Sequence, residues 1–146
     1  MSDDRAEPPL PGPAGFRVLV SNRQGRQVDQ QGLADLAERV LQSEEAQDRE
    51  LSLSFVTPEE MADLHRRYVA EEGPTDVLSF PMGEDGLLGD VVVCPEEAER
   101  NNPDLASELR LLVAHGVLHL LGYDHQEDHD RLEMWAKQEA YAGAAA

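Results

Sequence analysis

The chain has 146 residues, 40% of them hydrophobic, as is typical of a soluble globular protein with a single domain and a core of its own. Its 12 Lys and Arg residues stand against 30 Asp and Glu residues, and the resulting net charge of −18 repels polyanions at long range. Composition therefore argues against a free-standing module that binds nucleic acid mainly through its phosphates.

Several features indicate the compartment. No apolar run reaches the roughly 18 residues of a membrane-spanning helix, and the acidic, proline-rich N-terminus does not have the pattern of a secretory signal. The single cysteine, Cys94, cannot form an internal disulfide, which favours a reducing compartment, so we expect a cytoplasmic protein. Cys94 itself is expected to be a small buried residue at the end of a strand.

The N-terminal third contains a tail, a strand and a helix. Residues 1–15 are proline-rich and charged, which predicts a disordered tail in front of a single domain at residues 16–142. Alternating apolar residues over 16–20 predict a strand, and the polar, glycine-punctuated residues 22–32 predict a loop. Apolar residues at helical spacing over 33–41 then predict a first helix.

A second strand is predicted at 51–55, where apolar residues alternate with serines. The next helix carries its own start signals, since Thr57 suits the N-cap, Pro58 the first helical position and Glu60 the return arm of a capping box. Its buried stripe is predicted to consist of Met61, Leu64 and Tyr68.

The middle of the chain predicts two more strands. Residues 76–80 predict the third strand, residues 83–89 a turn-rich connection, and the β-branched run at 91–93 a strand covered on both faces. Residues 95–100 predict a short acidic helix. Asn102 and the proline after it are expected to start a long helix, by capping.

This long helix is apolar nearly all round from 111 to 121, apart from its histidines, so we expect it to run through the centre of the molecule. A C-terminal helix is expected to be lined by Leu132, Trp135 and Tyr141. These elements indicate an α+β fold in which one sheet packs on the central helix, although the pattern does not give the strand order.

Three of the five histidines fall within residues 115–125, which read HGVLHLLGYDH. His115 and His119 lie on one face of a helix, about 5–6 Å apart at Cβ, and can share one metal ion. Gly122 readily adopts the left-handed conformation that ends a helix, after which the chain can turn back and present His125. A lone histidine on an apolar helix is usually a core residue, but three at this spacing predict one Zn²⁺ per chain, with the open position of a catalytic site.

His129 follows an acidic turn and is expected at a solvated helix start, so it is not predicted to be a ligand. The histidine spacing matches that of H-E-x-x-H-x-x-G-x-x-H zinc proteases, except that Gly116 occupies the position of their general-base glutamate. Gly116 therefore argues against a protease of that type, and it would also let a strand pack closely against the helix. A zinc ion lowers the pKa of bound water to about 7 and acts as a Lewis acid, which suits a phosphodiester and a peptide carbonyl equally.

Two further blocks accompany the histidine motif, TDVLSFP at residues 75–81 and GDVVV at residues 89–93. In this order the three blocks closely resemble the signature of the bacterial YbeY family of zinc-dependent endoribonucleases, over about residues 16–141. The resemblance implies a single compact domain in which a mixed β-sheet of about four strands packs against a central metal-bearing helix.

The resemblance also implies a single-strand-specific endoribonuclease that acts in maturation of the 16S rRNA 3′ end and in ribosome quality control. Expected partners are ribosomal RNA and the small ribosomal subunit or its assembly proteins, with no membrane and no DNA. Since the net charge is −18, we expect a partner to deliver the RNA or a small basic patch to hold it. A zinc peptidase or amidase, suggested by the histidine geometry, and a ribosome assembly factor with a mainly structural zinc, suggested by the acidic surface, stay open.

The chain departs from the family pattern before the TDVLSFP block. His65 stands where the family has asparagine, and Val69 where it has an arginine implicated in catalysis. Phosphoryl transfer needs positive charge where negative charge develops. On a helix, Arg66 projects from nearly the same face as position 69, whereas Arg67 does not. Arg66 is therefore predicted to be catalytic, in addition to His115. In the alternative, both arginines are solvated surface residues.

Four polar residues are candidates for supporting the site. Asp90 and Asp124 could orient the metal-binding imidazoles, and Asp76 and Ser79 could line the cleft. Each has a plainer alternative, because carboxylates in turns and hydroxyls at strand ends often satisfy backbone groups.

Overall fold

The structure, a computed structural model, describes residues 18–46, 49–68, 75–84, 87–123 and 128–144. No helix in these ranges combines the length and the apolar character needed to cross a membrane. In chain order the elements are β1 (Val18–Asn22), α1 (Gln30–Ser43), β2 (Glu50–Phe55), α2 (Pro58–Tyr68), β3 (Val77–Glu84), β4 (Leu87–Val93), α3 (Pro95–Asn101), α4 (Leu105–Leu120) and α5 (Asp128–Ala144).

The strands form one mixed sheet in the order β1-β2-β4-β3. β1, β2 and β4 are parallel, whereas β3 runs antiparallel to β4 and occupies an edge. The register places Val18 opposite Leu51 and Leu53 opposite Val91. This architecture confirms the predicted α+β fold with a mixed sheet of about four strands.

Each face of the sheet has its own core. The larger core lies between the sheet and α1, α4 and α5, and it contains Val91 and Val93 of β4. The smaller core lies under α2 and contains Val92 and Cys94. The run of valines is therefore covered on both faces, as predicted. Cys94 is fully buried at the end of β4, and this burial raises the pKa of its thiol, as expected of an unreactive core cysteine.

α4 is the central helix, as the sequence predicts. It packs against α1, α3, α5 and the strands β3 and β4. It begins at Leu105, however, and not directly after Asn102. Asp104 is the N-cap, and its side chain accepts hydrogen bonds from both the backbone N–H (3.3 Å) and the hydroxyl (2.8 Å) of Ser107. Asn102 instead caps the end of α3, where its own N–H donates to Ala98.

The starts of α1 and α2 can also be compared with the sequence prediction. α1 begins at Gln30, inside the predicted loop, because the carboxylate of Asp29 accepts a hydrogen bond from the backbone N–H of Gly32 at 3.0 Å and caps the helix there. For α2, the predicted N-cap is confirmed, since the Thr57 hydroxyl accepts a hydrogen bond from the Glu60 N–H at 3.1 Å. The Glu60 carboxylate pairs with Arg23 after β1, at 2.7 Å.

The predicted turn-rich connection at 83–89 is wrong, because most of it is strand. β3 continues to Glu84 and β4 begins at Leu87. Pro81 lies inside β3, where its missing N–H would disrupt a central strand. In the described part of the chain β3 lies at the edge of the sheet and pairs with β4 alone, so the proline is tolerated.

The predicted buried stripe of α2 is confirmed for Met61 and Leu64, which pack in the smaller core, and is wrong for Tyr68. Tyr68 is 63% exposed, with its ring edge against Phe80 at a centroid distance of 5.5 Å. On α5, Leu132 and Trp135 are 70% and 58% exposed. The buried face of α5 instead carries Met134, Gln138 and Ala142, and only Tyr141 of the three predicted residues packs against the core. The apolar spacing misleads here because the buried stripe contains a polar residue.

Glu44, at the end of α1, joins this helix to the C-terminal part of the chain. Its carboxylate accepts hydrogen bonds from the hydroxyls of Tyr123 (2.7 Å) and Tyr141 (2.6 Å) and from the ammonium of Lys137 (3.0 Å). Burial is the largest influence on this carboxylate and raises its pKa, but the three hydrogen bonds together outweigh burial. The pKa of Glu44 therefore lies below its ordinary value of 4.5.

Glu44→Gln is expected to lower the free energy of unfolding by about 1–3 kcal/mol near neutral pH, because a charged acceptor of three hydrogen bonds is lost. A depressed pKa contributes stability above the unfolded-state value, and this contribution is lost as the pH falls through the folded-state value. The difference between parent and variant should therefore vanish in acid.

Urea unfolding between about pH 7 and pH 3 measures this difference. Glu139→Gln, on the exposed face of α5, makes the same charge change and is the matched control. A difference that persists unchanged in acid would show that the carboxylate charge does not account for the stabilisation.

Candidate metal centre

The histidine pair lies in the last turns of α4. The rings of His115 and His119 are nearly parallel, with centroids 6.5 Å apart and 12° between their planes. Both residues are half-buried, although the residues around them on the helix are buried and apolar. As predicted from their spacing, the two imidazoles therefore lie on one face of α4.

A residue of another helix orients the first imidazole. Nδ1 of His115 lies 2.9 Å from Oε1 of Gln138, a buried residue of α5. Because a carboxamide oxygen only accepts, Nδ1 donates, and the neutral ring carries its lone pair on Nε2. Histidines that bind metal usually donate their other ring N–H in this way. The donor set on α4 therefore fits a metal such as zinc.

The turn after α4 has the geometry that the sequence predicts. Gly122 has φ +106°, which confirms its positive φ. Its N–H donates to the carbonyl of His119 (3.0 Å), and the N–H of Tyr123 donates to that of Leu118 (3.1 Å). These two bonds form a Schellman motif, which ends the helix.

The third predicted ligand stays a prediction, because His125 and its neighbour Asp124 lie outside the described residues. Among the residues that are described, no three His, Cys, Asp or Glu side chains are close enough to hold a metal ion. His129 lies in the first turn of α5, as expected of a helix start, but its side chain is not among those described.

Gly116 faces the sheet. A Cβ added there would lie 2.6 Å from Cγ1 of Val91 and 3.3 Å from Oγ of Ser79. Glycine therefore permits the close packing of strand and helix that the sequence suggested. A glutamate at this position would meet Val91, so the place of the protease general base cannot be filled unless this side chain or α4 shifts.

The other candidate residues have partners of their own. The Ser79 hydroxyl donates to the backbone carbonyl of Gly116 at 3.3 Å, Asp76 accepts from the Asn101 amide at 2.8 Å, and Asp90 accepts from the Ser52 hydroxyl at 2.6 Å. Ser79 therefore satisfies a backbone carbonyl, which is the plainer alternative for this residue. The sequence prediction missed Gln138, which contacts His115. A signal in the sequence that could have found it is its position four residues after Met134 and four before Ala142, on the buried face of α5.

Arg66 and Arg67 share one carboxylate near the end of α2. Both pair with Asp63, at 2.7 Å and 3.0 Å, and their side chains are 55% and 59% exposed. The guanidinium of Arg67 also lies over the ring of Tyr68, 5.6 Å from its centroid. Arg66 was preferred to Arg67 because it shares a helix face with position 69. Val69 lies outside the described residues, so the choice of Arg66 stays a prediction.

Gly116→Ala is expected to lower the free energy of unfolding by about 1–3 kcal/mol, because the new methyl group overpacks the contact with Val91. Chemical denaturation measures the change. Gly143→Ala on α5 is the matched control: a Cβ there meets nothing within 4 Å, and alanine favours the helix. Equal stability of Gly116→Ala and the parent would contradict this prediction, because the overpacking would then cost no more than the roughly 1 kcal/mol by which alanine favours a helix over glycine.

Comparison with known proteins finds similarity along most of the chain. The family described as endoribonuclease YbeY matches residues 19–145. Proteins named endoribonuclease YbeY from Thermobifida fusca and Streptomyces coelicolor are 45% and 41% identical to this chain, with 83% and 84% of this chain and 88% and 86% of theirs covered. The solution structure of TM1509 from Thermotoga maritima matches with a TM-score of 0.62 and 32% identity, covering 88% of each chain. The chain belongs to the endoribonuclease YbeY family.

Proposed function

We propose that the chain is a zinc-dependent endoribonuclease that cleaves single-stranded RNA, acting in maturation of the 16S rRNA 3′ end and in ribosome quality control. The observation that carries the proposal is the pair of parallel imidazoles on α4, with His115 oriented by a buried amide. Family membership supports RNA as the substrate class. Ribosomal RNA within the small subunit, or with its assembly proteins, is the partner that this role requires.

The proposed ligands of the zinc ion are His115, His119 and His125. Zinc at such a site supplies Lewis acidity and lowers the pKa of water towards neutrality. The chain contributes the positions of the imidazoles: α4 places His115 and His119 on one face, and the end of the helix at Gly122 supports the proposal that His125 is the third ligand. Gly116 leaves no carboxylate in the protease position, which favours a phosphodiester over a peptide bond as the substrate.

Positive charge for the phosphate has to come from few residues, since the chain carries a net charge of −18. In the proposal, Arg66 supplies it in place of the family arginine that Val69 replaces. The ion pair of Arg66 with Asp63 is more than half exposed on the arginine side, and such surface pairs are weak. A phosphate can therefore compete with Asp63 for this guanidinium.

The substrate class is tested by incubating the purified protein with structured RNA that has single-stranded segments and with casein, each with and without a chelator. We expect cleavage of RNA only, abolished by the chelator and restored by zinc. Chelator-sensitive proteolysis by a nuclease-free preparation would contradict the proposal in favour of a peptidase. A zinc-loaded protein that cleaves neither substrate would favour an assembly factor with a structural metal.

The ligand set is tested by replacing each histidine with alanine and measuring bound zinc. His115→Ala, His119→Ala and His125→Ala are expected to lose nearly all zinc at stoichiometric metal, because a catalytic site has only three protein ligands. His129→Ala is the matched control and should keep the parent's content. Near-normal zinc in His125→Ala, or its loss in His129→Ala, would show that the third ligand is wrong.

The role of Arg66 is tested by comparing RNA cleavage by Arg66→Ala and Arg67→Ala at matched zinc content. We expect Arg66→Ala to lose about a hundredfold in rate, the typical effect of removing one group that stabilises transition-state charge. Arg67→Ala removes the same charge from the same Asp63 pair and should lose little. Equal activity of Arg66→Ala and the parent would eliminate this role.

A further inference from the structure

Gln138 is an unusual residue for its position. Within the described ranges, only Ser54 and Gln138 are buried residues with polar side chains. Gln138 lies on the face of α5 that packs against α4, one turn after Met134 and one turn before Ala142, both of which are buried. An amide buried at such a place costs free energy unless it is hydrogen-bonded, and an apolar side chain would fill the space without that cost.

The hydrogen bond that Gln138 makes goes to a predicted ligand. Its Oε1 lies 2.9 Å from Nδ1 of His115, 23 residues away along the chain. An acceptor at this place selects the tautomer of neutral imidazole that is protonated on Nδ1. It also fixes the rotation of the ring, since turning the imidazole would break the bond.

α5 holds this amide firmly in place. Lys137, next to Gln138, and Tyr141, about one turn later, both donate hydrogen bonds to the partly buried Glu44 at the end of α1. α5 is thus fixed to α1 on one side while its core face meets α4. The amide has little freedom to follow a ring that changes its orientation.

We propose that Gln138 is a positioning residue of the metal centre, which presents Nε2 of His115 to the ion by fixing the tautomer and the orientation of the ring. The inference rests on the proposed function, because it requires His115 to be a metal ligand. It extends the metal-binding apparatus beyond the histidine motif to the C-terminal helix. Gln138 is not a catalytic residue, since it acts through His115 alone.

Two variants separate the hydrogen bond from packing. Gln138→Met keeps nearly the same shape and removes the acceptor, whereas Gln138→Glu keeps the shape and offers an oxygen in either rotation of the carboxylate. The control is Met134→Leu, a volume-conserving change on the same buried face. Zinc affinity of the full chain is measured at one fixed pH by competition with a chromophoric chelator, and the stability of the zinc-free protein by urea unfolding.

We expect Gln138→Met to bind zinc about 10–100-fold more weakly than the parent, the usual effect of losing such a partner, with a zinc-free protein that is at least as stable. Gln138→Glu and Met134→Leu should bind zinc as tightly as the parent or more tightly. Nitrogen NMR shifts of His115 in the zinc-free protein should show the Nδ1-protonated tautomer in the parent and a mixture of tautomers in Gln138→Met.

The inference would be overturned if Gln138→Met bound zinc as tightly as the parent. It would also be overturned if Gln138→Met and Gln138→Glu lost zinc affinity equally, because that result would indicate a packing role. His115→Ala distinguishes this failure from that of the proposed function. If His115→Ala loses zinc and Gln138→Met does not, only the role of Gln138 falls. If His115→Ala keeps its zinc, the proposed ligand set itself is wrong.

Discussion

The close contact between α4 and the sheet is the constraint on which the rest of the structure depends. Two glycines make it possible, one on each partner. A Cβ at Gly116 would meet Val91, and a Cβ at Gly89 of β4 would lie 2.5 Å from the Phe80 carbonyl and 2.7 Å from Leu120. Along α4, Gly116 follows His115 and Leu120 follows His119, so the depth of the helix on the sheet determines how far both imidazoles lie from it.

α4 also packs against α5. α5 contributes the amide that meets His115, and the Glu44 cluster holds it against α1. His115 therefore contacts a helix that is itself joined to the end of α1, and the next residue, Gly116, packs against the sheet. Because metal ligands bind well only when they are held in position, the two packing interfaces and the chemistry of the site are parts of one arrangement.

Much of this could be predicted from the sequence wherever a local rule dominates. Periodicity located the strands and the central helix, and single residues such as Thr57 and Gly122 marked a helix start and a helix end. The strand order could not be predicted, because it depends on contacts between distant segments. The buried face of α5 was assigned wrongly for the same reason: Leu132 and Trp135 look like a core stripe, whereas a hydrogen bond to another helix decides which side is buried.

The steric demand at position 116 has an evolutionary consequence. A glycine codon can become a glutamate codon by a single base change, so the general-base motif of zinc peptidases is genetically very near to this sequence. The fold nevertheless separates the two, because a glutamate side chain would have to occupy space that Val91 and Ser79 already fill. A lineage that keeps this helix at this depth on its sheet has to repack the contact with Val91 before position 116 can hold the glutamate of such a peptidase.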